Sequence, residues 1–368
     1  MVMKKVQAIR QYLAQKLVDR QQIIDAMLVA LFSRQHVLLV GPPGTAKSNL
    51  AIELAQCISG ANYFQWLLTE FSTPDELYGP VSLDAYAQGV YKRNTSNKLP
   101  EAHLAFVDEI FKANSAILNS LLTLINERLF YNNGAPVVSP LMSVIGASNE
   151  YPEEENLSAL FDRFLVRFHV EYIGEDQSFL TMLKGAPQME RPTLTLNELK
   201  QLQHACEMVS ISDDILSIVV EVRRRLKDEG IRPSDRRFKQ CLKLLQGMAL
   251  LSQRRMVLKE DLIILTHSLW EDVNQQEKVE EIINEYAIDK VEKLLNDIVE
   301  EAKEIYNNVR NLQTPESAVE GTKKLKDLAK ELVKVKGDHP SRTQEIEGVE
   351  QKLKDAMSNL AEAAIGLG

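Results

Sequence analysis

Three cysteines in 368 residues, Cys57, Cys206 and Cys241, are too few and too scattered for a disulfide framework or a zinc-binding spacing. They fit free thiols in a reducing compartment. Histidine is sparse as well, and none of the six pairs with another at metal-ligand spacing. No apolar run approaches the roughly 18 residues of a membrane span. Lys4 and Lys5 open the chain, but Val6, Ile9, Leu13 and Leu17 follow at helical spacing. That pattern reads as an amphipathic helix, not as the continuous apolar stretch of a signal peptide, and a cytoplasmic protein is expected. Positive charge is lacking too. The formal net charge is −9, and the basic clusters, Arg223–Arg225 and Arg254–Arg255, are short. They read as solvated helix faces, so nucleic acid is not expected as a partner.

What the chain does have is ordinary globular composition over a length that exceeds one core, which points to two or three domains. Residues 1–190 alternate short apolar runs with helical patterns. The runs His36–Val40, Tyr63–Leu67, Leu104–Val107, Met142–Ala147 and Phe164–Val170 predict a parallel α/β sheet. Two stretches read as added hairpins: Val81–Arg93, turning at Gln88-Gly89, and Leu129–Val138, turning at Asn133-Gly134. Residues 191–272 carry helical patterns only, with a capping box at Thr195–Glu198 and a cap at Ser234. Residues 273–368 are charged and periodic. Val291, Leu294, Ile298, Ile305 and Val309 mark an apolar stripe, and breaks at Thr314-Pro315 and Gly337–Pro340 suggest three packed helices.

Chemistry concentrates in the first domain. Gly41-Pro42-Pro43-Gly44-Thr45-Ala46-Lys47-Ser48 follows an apolar strand and precedes a helical pattern, the context of a phosphate-binding loop. Its glycines let backbone N–H groups approach an anion, and the helix N-terminus adds a positive dipole end. Lys47 would reach the β- and γ-phosphates of ATP, and Ser48 would place its hydroxyl on Mg²⁺. Asn49 follows the loop as a further nucleotide-binding candidate. Ala46 stands where the general pattern has glycine, and is expected in the first helical turn without positive φ. About sixty residues on, the run Leu104–Val107 ends in Asp108-Glu109. This gives one carboxylate for the metal and one, Glu109, for the attacking water. Asn149 ends the next strand as a candidate sensor of the γ-phosphate or the water. Arg163 lies just before the last strand and Arg167 within it, and either could reach a neighbouring subunit's phosphate. Arg236 sits in a helix's first turn, where a cation opposes the dipole unless an anion binds; Arg237 is its reserve.

These elements in this order resemble the AAA+ ATPases and, within them, the MoxR family and its RavA-like branch. The likeness spans residues 5 to about 273 and is carried by the loop with its Ala46, Phe71–Pro80, Leu104–Ile110, Ala116–Arg128, Ala147–Glu150 and Ser234–Arg237. Leu17–Ile23 looks like the family's adenine-side segment, which adds Val18 and Arg20 to the nucleotide-binding candidates. The resemblance implies an α/β AAA+ core with a five-stranded parallel sheet and hairpin insertions and an all-α lid. The C-terminal helical extension is read from the periodicity of residues 273–368, where the β-rich domain of the RavA-like branch has no counterpart in the pattern. It implies homo-hexameric rings with ATP between subunits. Lys47, Ser48, Asp108, Glu109 and Asn149 would act within one subunit, Arg163 or Arg128 would act across the interface, and Arg236 would be the lid sensor. Members commonly remodel or activate partners beside a von Willebrand A domain protein. Two other functions compete on the residues: a nucleic-acid-dependent motor, and a nucleotide-gated scaffold with little turnover. The first is weakened by the Leu129–Val138 stretch, which carries no Lys or Arg.

Overall fold

The computed structural model describes residues 2–152, 155–185, 189–288, 290–312, 315–338 and 342–366. Val6, Ile9 and Leu13 line the buried face of α1 (Val2–Lys16), as their spacing predicts. α2 (Gln21–Phe32) is apolar nearly all round and almost wholly buried, as a core helix must be. It leads into β1 (Val37–Val40) and, past the glycine-rich loop, α3 (Lys47–Gln56). Next come β2 (Ile58–Ser59), β3 (Tyr63–Leu67), α4 (Pro74–Tyr78), α5 (Leu83–Ala87), β4 (Leu104–Asp108) and α6 (Ser115–Glu127). After them come β5 (Leu129–Asn132), β6 (Ala135–Val138), β7 (Ser143–Ser148), α7 (Glu155–Arg163) and β8 (Val166–His169).

Strands β3, β4, β7, β1 and β8 pair in that spatial order, every pair parallel. This is the expected five-stranded sheet. β1, β4 and β7 are buried along nearly their whole length, which explains their unbroken apolar runs: a parallel sheet is covered on both faces.

The Leu129–Val138 stretch is a hairpin, as its turn sequence predicts. Asn133 and Gly134 take φ of 54° and 70°, the pair of left-handed residues that a two-residue turn needs to follow strand twist. The Val81–Arg93 stretch is not. Only one antiparallel bridge, Val81 to Arg93, closes it, and between them lies α5, capped by Ser82. The reason is local: Ser82 accepts from Ala85 N–H, and Leu83–Ala87 satisfy their backbone along the helix before the chain can pair across. The two insertions are tied together. Asn132 Oδ1 accepts from Arg93 N–H at 2.8 Å, and Asn132 Nδ2 donates to Arg93 O at 3.1 Å.

After α8 (Asp176–Lys184) and β9 (Leu194–Thr195), which pairs with β2, the chain becomes helical: α9 (Leu196–Glu207), α10 (Asp213–Asp228), α11 (Asp235–Leu251) and α12 (Gln276–Ala287). The capping box is present at α9. Glu198 N–H donates to Thr195 Oγ1 at 3.2 Å, and Thr195 N–H donates to Glu198 Oε2 at 2.9 Å. Ser234 accepts from Arg237 N–H at 3.2 Å and caps α11. The compact unit runs to Ile283, past the expected boundary at 272, because Val279, Ile282 and Ile283 are buried. No helix among the described residues is long and apolar enough to cross a membrane.

The second unit is built from α13 (Lys290–Leu312), α14 (Pro315–Asp338) and α15 (Thr343–Gly366), each packed on the other two. Leu295, Ile298, Ala302, Ile305 and Val309 of α13 meet Leu325, Leu328 and Leu332 of α14 and Ile346 and Leu353 of α15. The apolar stripe read from the sequence is therefore a bundle core. Pro315 opens α14, where its missing N–H costs nothing. Thr314, His339 and Pro340 of the expected breaks lie outside the described residues, as does the Val291 side chain.

The capping box at α9 gives a direct check. Thr195→Ala should lower unfolding stability by about 1 kcal/mol, read from urea denaturation followed by circular dichroism. An unchanged midpoint would mean that the cap contributes nothing there.

Candidate nucleotide site

Sheet order sets the site. β4, β7 and β1 are neighbours, so their carboxyl ends lie side by side. Asp108 ends β4, Asn149 follows β7, and the loop 41–46 follows β1. The crevice at the carboxyl ends of parallel strands is where open α/β sheets bind ligands.

The loop is held tightly. Gly41 N–H donates to Ser148 O at 3.1 Å. A Cβ on Gly41 would stand 2.1 Å from the carbonyl oxygen of Val170, so no other residue fits. Thr45 Oγ1 donates to Pro42 O at 3.0 Å. Ala46 departs from expectation. It is not in the first helical turn but just before it, at φ 67° and ψ 21°, and α3 begins at Lys47. A left-handed residue beside right-handed ones turns successive N–H groups toward one centre, the geometry of an anion nest. For a residue with a Cβ this costs about 1–2 kcal/mol.

Lys47 is buried, and burial lowers its pKa while Asp108 and Glu109 oppose the shift. Its ammonium donates to Gly41 O at 2.5 Å, Pro42 O at 2.9 Å and Asn149 Oδ1 at 3.2 Å. Asn149 Nδ2 in turn donates to Glu109 Oε1 at 2.5 Å. Lysine, amide and carboxylate thus form one hydrogen-bonded chain across three strand ends. Glu109 takes φ 52°, a left-handed turn right after β4, and its Oε2 lies 3.8 Å from Lys112 Nζ. Asp108 Oδ1 accepts from Glu109 N–H at 3.0 Å, and Asp108 has no ion pair among the described residues. The Ser48 hydroxyl and the Asp108 carboxylate are hard oxygen donors of the kind Mg²⁺ takes.

Beside the loop is a cavity of about 490 Å³ lined by Val18, Arg20, Gly44, Thr45, Ala46 and Asn49. Arg20 is buried, and its guanidinium donates to Asp19 O at 2.7 Å and Glu171 O at 2.6 Å. It therefore acts as a wall of the cavity rather than a free cation. Tyr172, Ile173, Phe179 and Met182 also line it, and sequence reasoning did not single them out. Their only signal is a scatter of apolar residues after β8. Tyr172 OH also donates to Pro43 O at 3.2 Å.

The arginines divide. Arg167 is 1% exposed and donates to Phe164 O and Phe161 O, both at 3.0 Å, and to Trp270 O at 2.5 Å. Its guanidinium lies 3.9 Å over the Phe161 ring. It holds three chain segments together and is removed from the candidates for reaching a neighbour. Arg237, the reserve for Arg236, is equally buried and donates to Leu165 O, Ser268 O and Asp162. Arg128 is corrected as well. It takes φ 58° after α6 and donates to Ile125 O at that helix's end and to Arg34 O at 2.9 Å. Burial, with Arg34 nearby, pushes its pKa down to about 10. Its head is committed to stapling the ends of α2 and α6.

Arg163 pairs with Asp162 at 2.9 Å, and the exposed Arg236 donates to Asn126 Oδ1 at 2.8 Å. Both line a cavity of about 290 Å³ that also includes Ser33, Gln35 and His36. Those residues precede β1, whereas the phosphate loop follows it. Arg236 therefore cannot act as a lid sensor on its own chain's loop.

Residues 4–208 match the family described as the MoxR domain in MoxR–vWA–β-propeller ternary systems. Residues 214–283 match an AAA lid domain. An uncharacterized protein of Methanocaldococcus jannaschii is 38% identical over 80% of either chain. The chaperone MoxR1 of Mycobacterium tuberculosis is 27% identical over 56% of this chain and 55% of its own. The crystal structure of a candidate ATPase from Cytophaga hutchinsonii superposes with a TM-score of 0.63, over 77% of this chain and 94% of that one, at 17% identity.

Two substitutions check the local geometry. Arg167→Ala removes the guanidinium donor from three carbonyls, of which Phe161 O keeps the Phe164 N–H, and should cost about 3 kcal/mol in denaturant unfolding; a surface-like cost under about 0.5 kcal/mol would contradict its structural role. Ala46→Gly removes the left-handed strain and should hold or raise the thermal midpoint. A fall of several degrees would mean the strain is absent.

Proposed function

Because the chain belongs to the MoxR family of AAA+ ATPases, we propose that it is a cytoplasmic, Mg²⁺-dependent ATP hydrolase that remodels or activates a protein partner. The observation carrying this reading is the hydrogen-bonded chain from Lys47 through Asn149 to Glu109. It links the group that would meet the γ-phosphate to the group that would meet the water. Residues 1–190 serve as the nucleotide-binding domain and the helices after 191 as its lid.

In this mechanism the loop N–H groups of residues 44–48 cradle the phosphates, and Lys47 exchanges its carbonyl partners for phosphate oxygens. The cavity beside the loop takes the base. Ser48 and Asp108 would hold Mg²⁺, which when bound neutralises phosphate charge. Glu109 accepts a proton as the water oxygen bonds to the γ-phosphorus and the bridge to ADP breaks. Asn149 orients both the carboxylate and the water. Phosphate and ADP leave, and Glu109 returns its proton to solvent.

Arg163 and Arg236 line a cavity at the start of β1, and the four strand residues alone span roughly 13 Å to the loop. One copy therefore cannot bring loop and arginines to one phosphate. This supports a homo-hexamer in which these two arginines meet a neighbour's nucleotide. The family's description supports a von Willebrand A domain protein as partner. The RavA-like placement rests on Phe71–Pro80. For the client surface we favour the joined insertions, where Leu83, Tyr86, Tyr91, Tyr131 and Val138 are exposed. Arg93 there is committed to Asp75, which favours a protein over a nucleic-acid client.

Glu109→Gln should lower ATP turnover about 10²- to 10⁴-fold while ATP binding persists, measured by phosphate release and by equilibrium titration. Chelation of Mg²⁺ should abolish turnover in the unaltered protein. Turnover retained in Glu109→Gln would sink the role given to Glu109.

A further inference from the structure

We propose that Arg34 is an anion-contacting residue of the cavity holding Arg163 and Arg236, and that it takes the terminal phosphate of the nucleotide bound by a neighbouring copy. The inference rests on the ring reading above and adds a residue to it.

Arg34 follows the end of α2 at φ 55°. That position after a helix suits glycine or asparagine, and a residue with a Cβ there is strained. Its backbone is fixed by Arg128, which donates to Arg34 O at 2.9 Å. Its own guanidinium is exposed on the cavity and makes no hydrogen bond or ion pair among the described residues. A cation at a helix's carboxyl end can serve simply to offset the dipole. Arg128 already fills that role for α6, and the last carbonyls of α2 are met by Ser33 N–H, Gln35 N–H and Gln203 Nε2. The strained position and the free head therefore lack a structural explanation.

The surroundings point to an anion. Arg34, Arg128, Arg163, Arg236 and Lys243 line the cavity with a single carboxylate, Glu207. Arg236 stands close enough to Arg163 to disfavour its charge, an effect second to burial in lowering the Arg163 pKa. Arg163 Nε is buried with no partner. A phosphate in the cavity would relieve the cation repulsion and engage the Arg34 fork.

Arg34→Gly is the informative variant, since glycine removes the charge while suiting the backbone. In the full-length protein kcat for ATP should fall about ten- to a hundredfold with KM within about twofold. Affinity for ADP–aluminium fluoride, a mimic of the phosphate in flight, should fall by a similar factor. The thermal midpoint should hold or rise, and the ring seen by sedimentation velocity with ATP should persist. Arg34→Asn should repeat the loss, and Arg34→Lys should restore part of it. Kinetics and analogue affinity within about twofold of the unaltered protein would overturn the proposal. So would a loss accompanied by a lower midpoint or a lost ring, which would make Arg34 a helix-end cap. Arg163→Ala and Arg236→Ala run in parallel. If they fall and Arg34→Gly does not, Arg34 alone is wrong; if none falls, the ring reading fails with it.

Discussion

The Asn149 amide has two ends, and both are used: its oxygen accepts from Lys47 and its nitrogen donates to Glu109. These bonds exist only because β4, β7 and β1 are adjacent and parallel, so that three chain segments far apart in sequence finish at one level. The bonds themselves are charge-assisted and short-range, worth about 1.5–3 kcal/mol each. What they require of the fold is larger. A strand out of order would part the carboxylate from the lysine. The buried apolar runs that form the sheet are therefore the condition for the chemistry proposed at its edge.

At the other end of the sheet the problem is electrostatic. The helices α2 and α6 bring their carboxyl ends, and hence negative dipole ends, toward the start of β1. Arg128 bonds the end of α6 and the turn after α2, with its guanidinium set against His36. With those ends capped, Arg34, Arg163 and Arg236 are surplus positive charge facing one cavity. Surplus charge held in place by backbone geometry, balanced only by Glu207 in the lining and by Asp162 on Arg163, is how proteins prepare for an incoming anion. In the proposed ring, the two ends of one sheet would supply the two halves of a phosphate site, facing opposite ways.

Insertions carry what neither end supplies. The Asn132 side chain bonds both to the N–H and to the carbonyl of Arg93, so α5 and the β5–β6 hairpin cannot move independently without breaking two hydrogen bonds. Large apolar side chains remain uncovered on both. The C-terminal bundle is a separate unit with its own core, and its three helices bury their stripes on one another.

Sequence alone determined the five strands, the phosphate loop, the Asp108-Glu109 pair, the Asn133-Gly134 turn, both helix caps and the bundle's apolar stripe. Each is written in local pattern: period, turn chemistry or capping spacing within a few residues. Tertiary structure decided the rest. Arg163, Arg167, Arg236 and Arg237 look alike as letters, yet Arg167 and Arg237 are buried staples while Arg163 and Arg236 face a cavity, because burial depends on what packs over a strand from a hundred residues away. Arg34 gave no signal, since a left-handed φ is not visible in an arginine. The Ala46 backbone was misjudged for the same reason, and the Val81–Arg93 stretch became a helix because a serine cap outcompeted strand pairing.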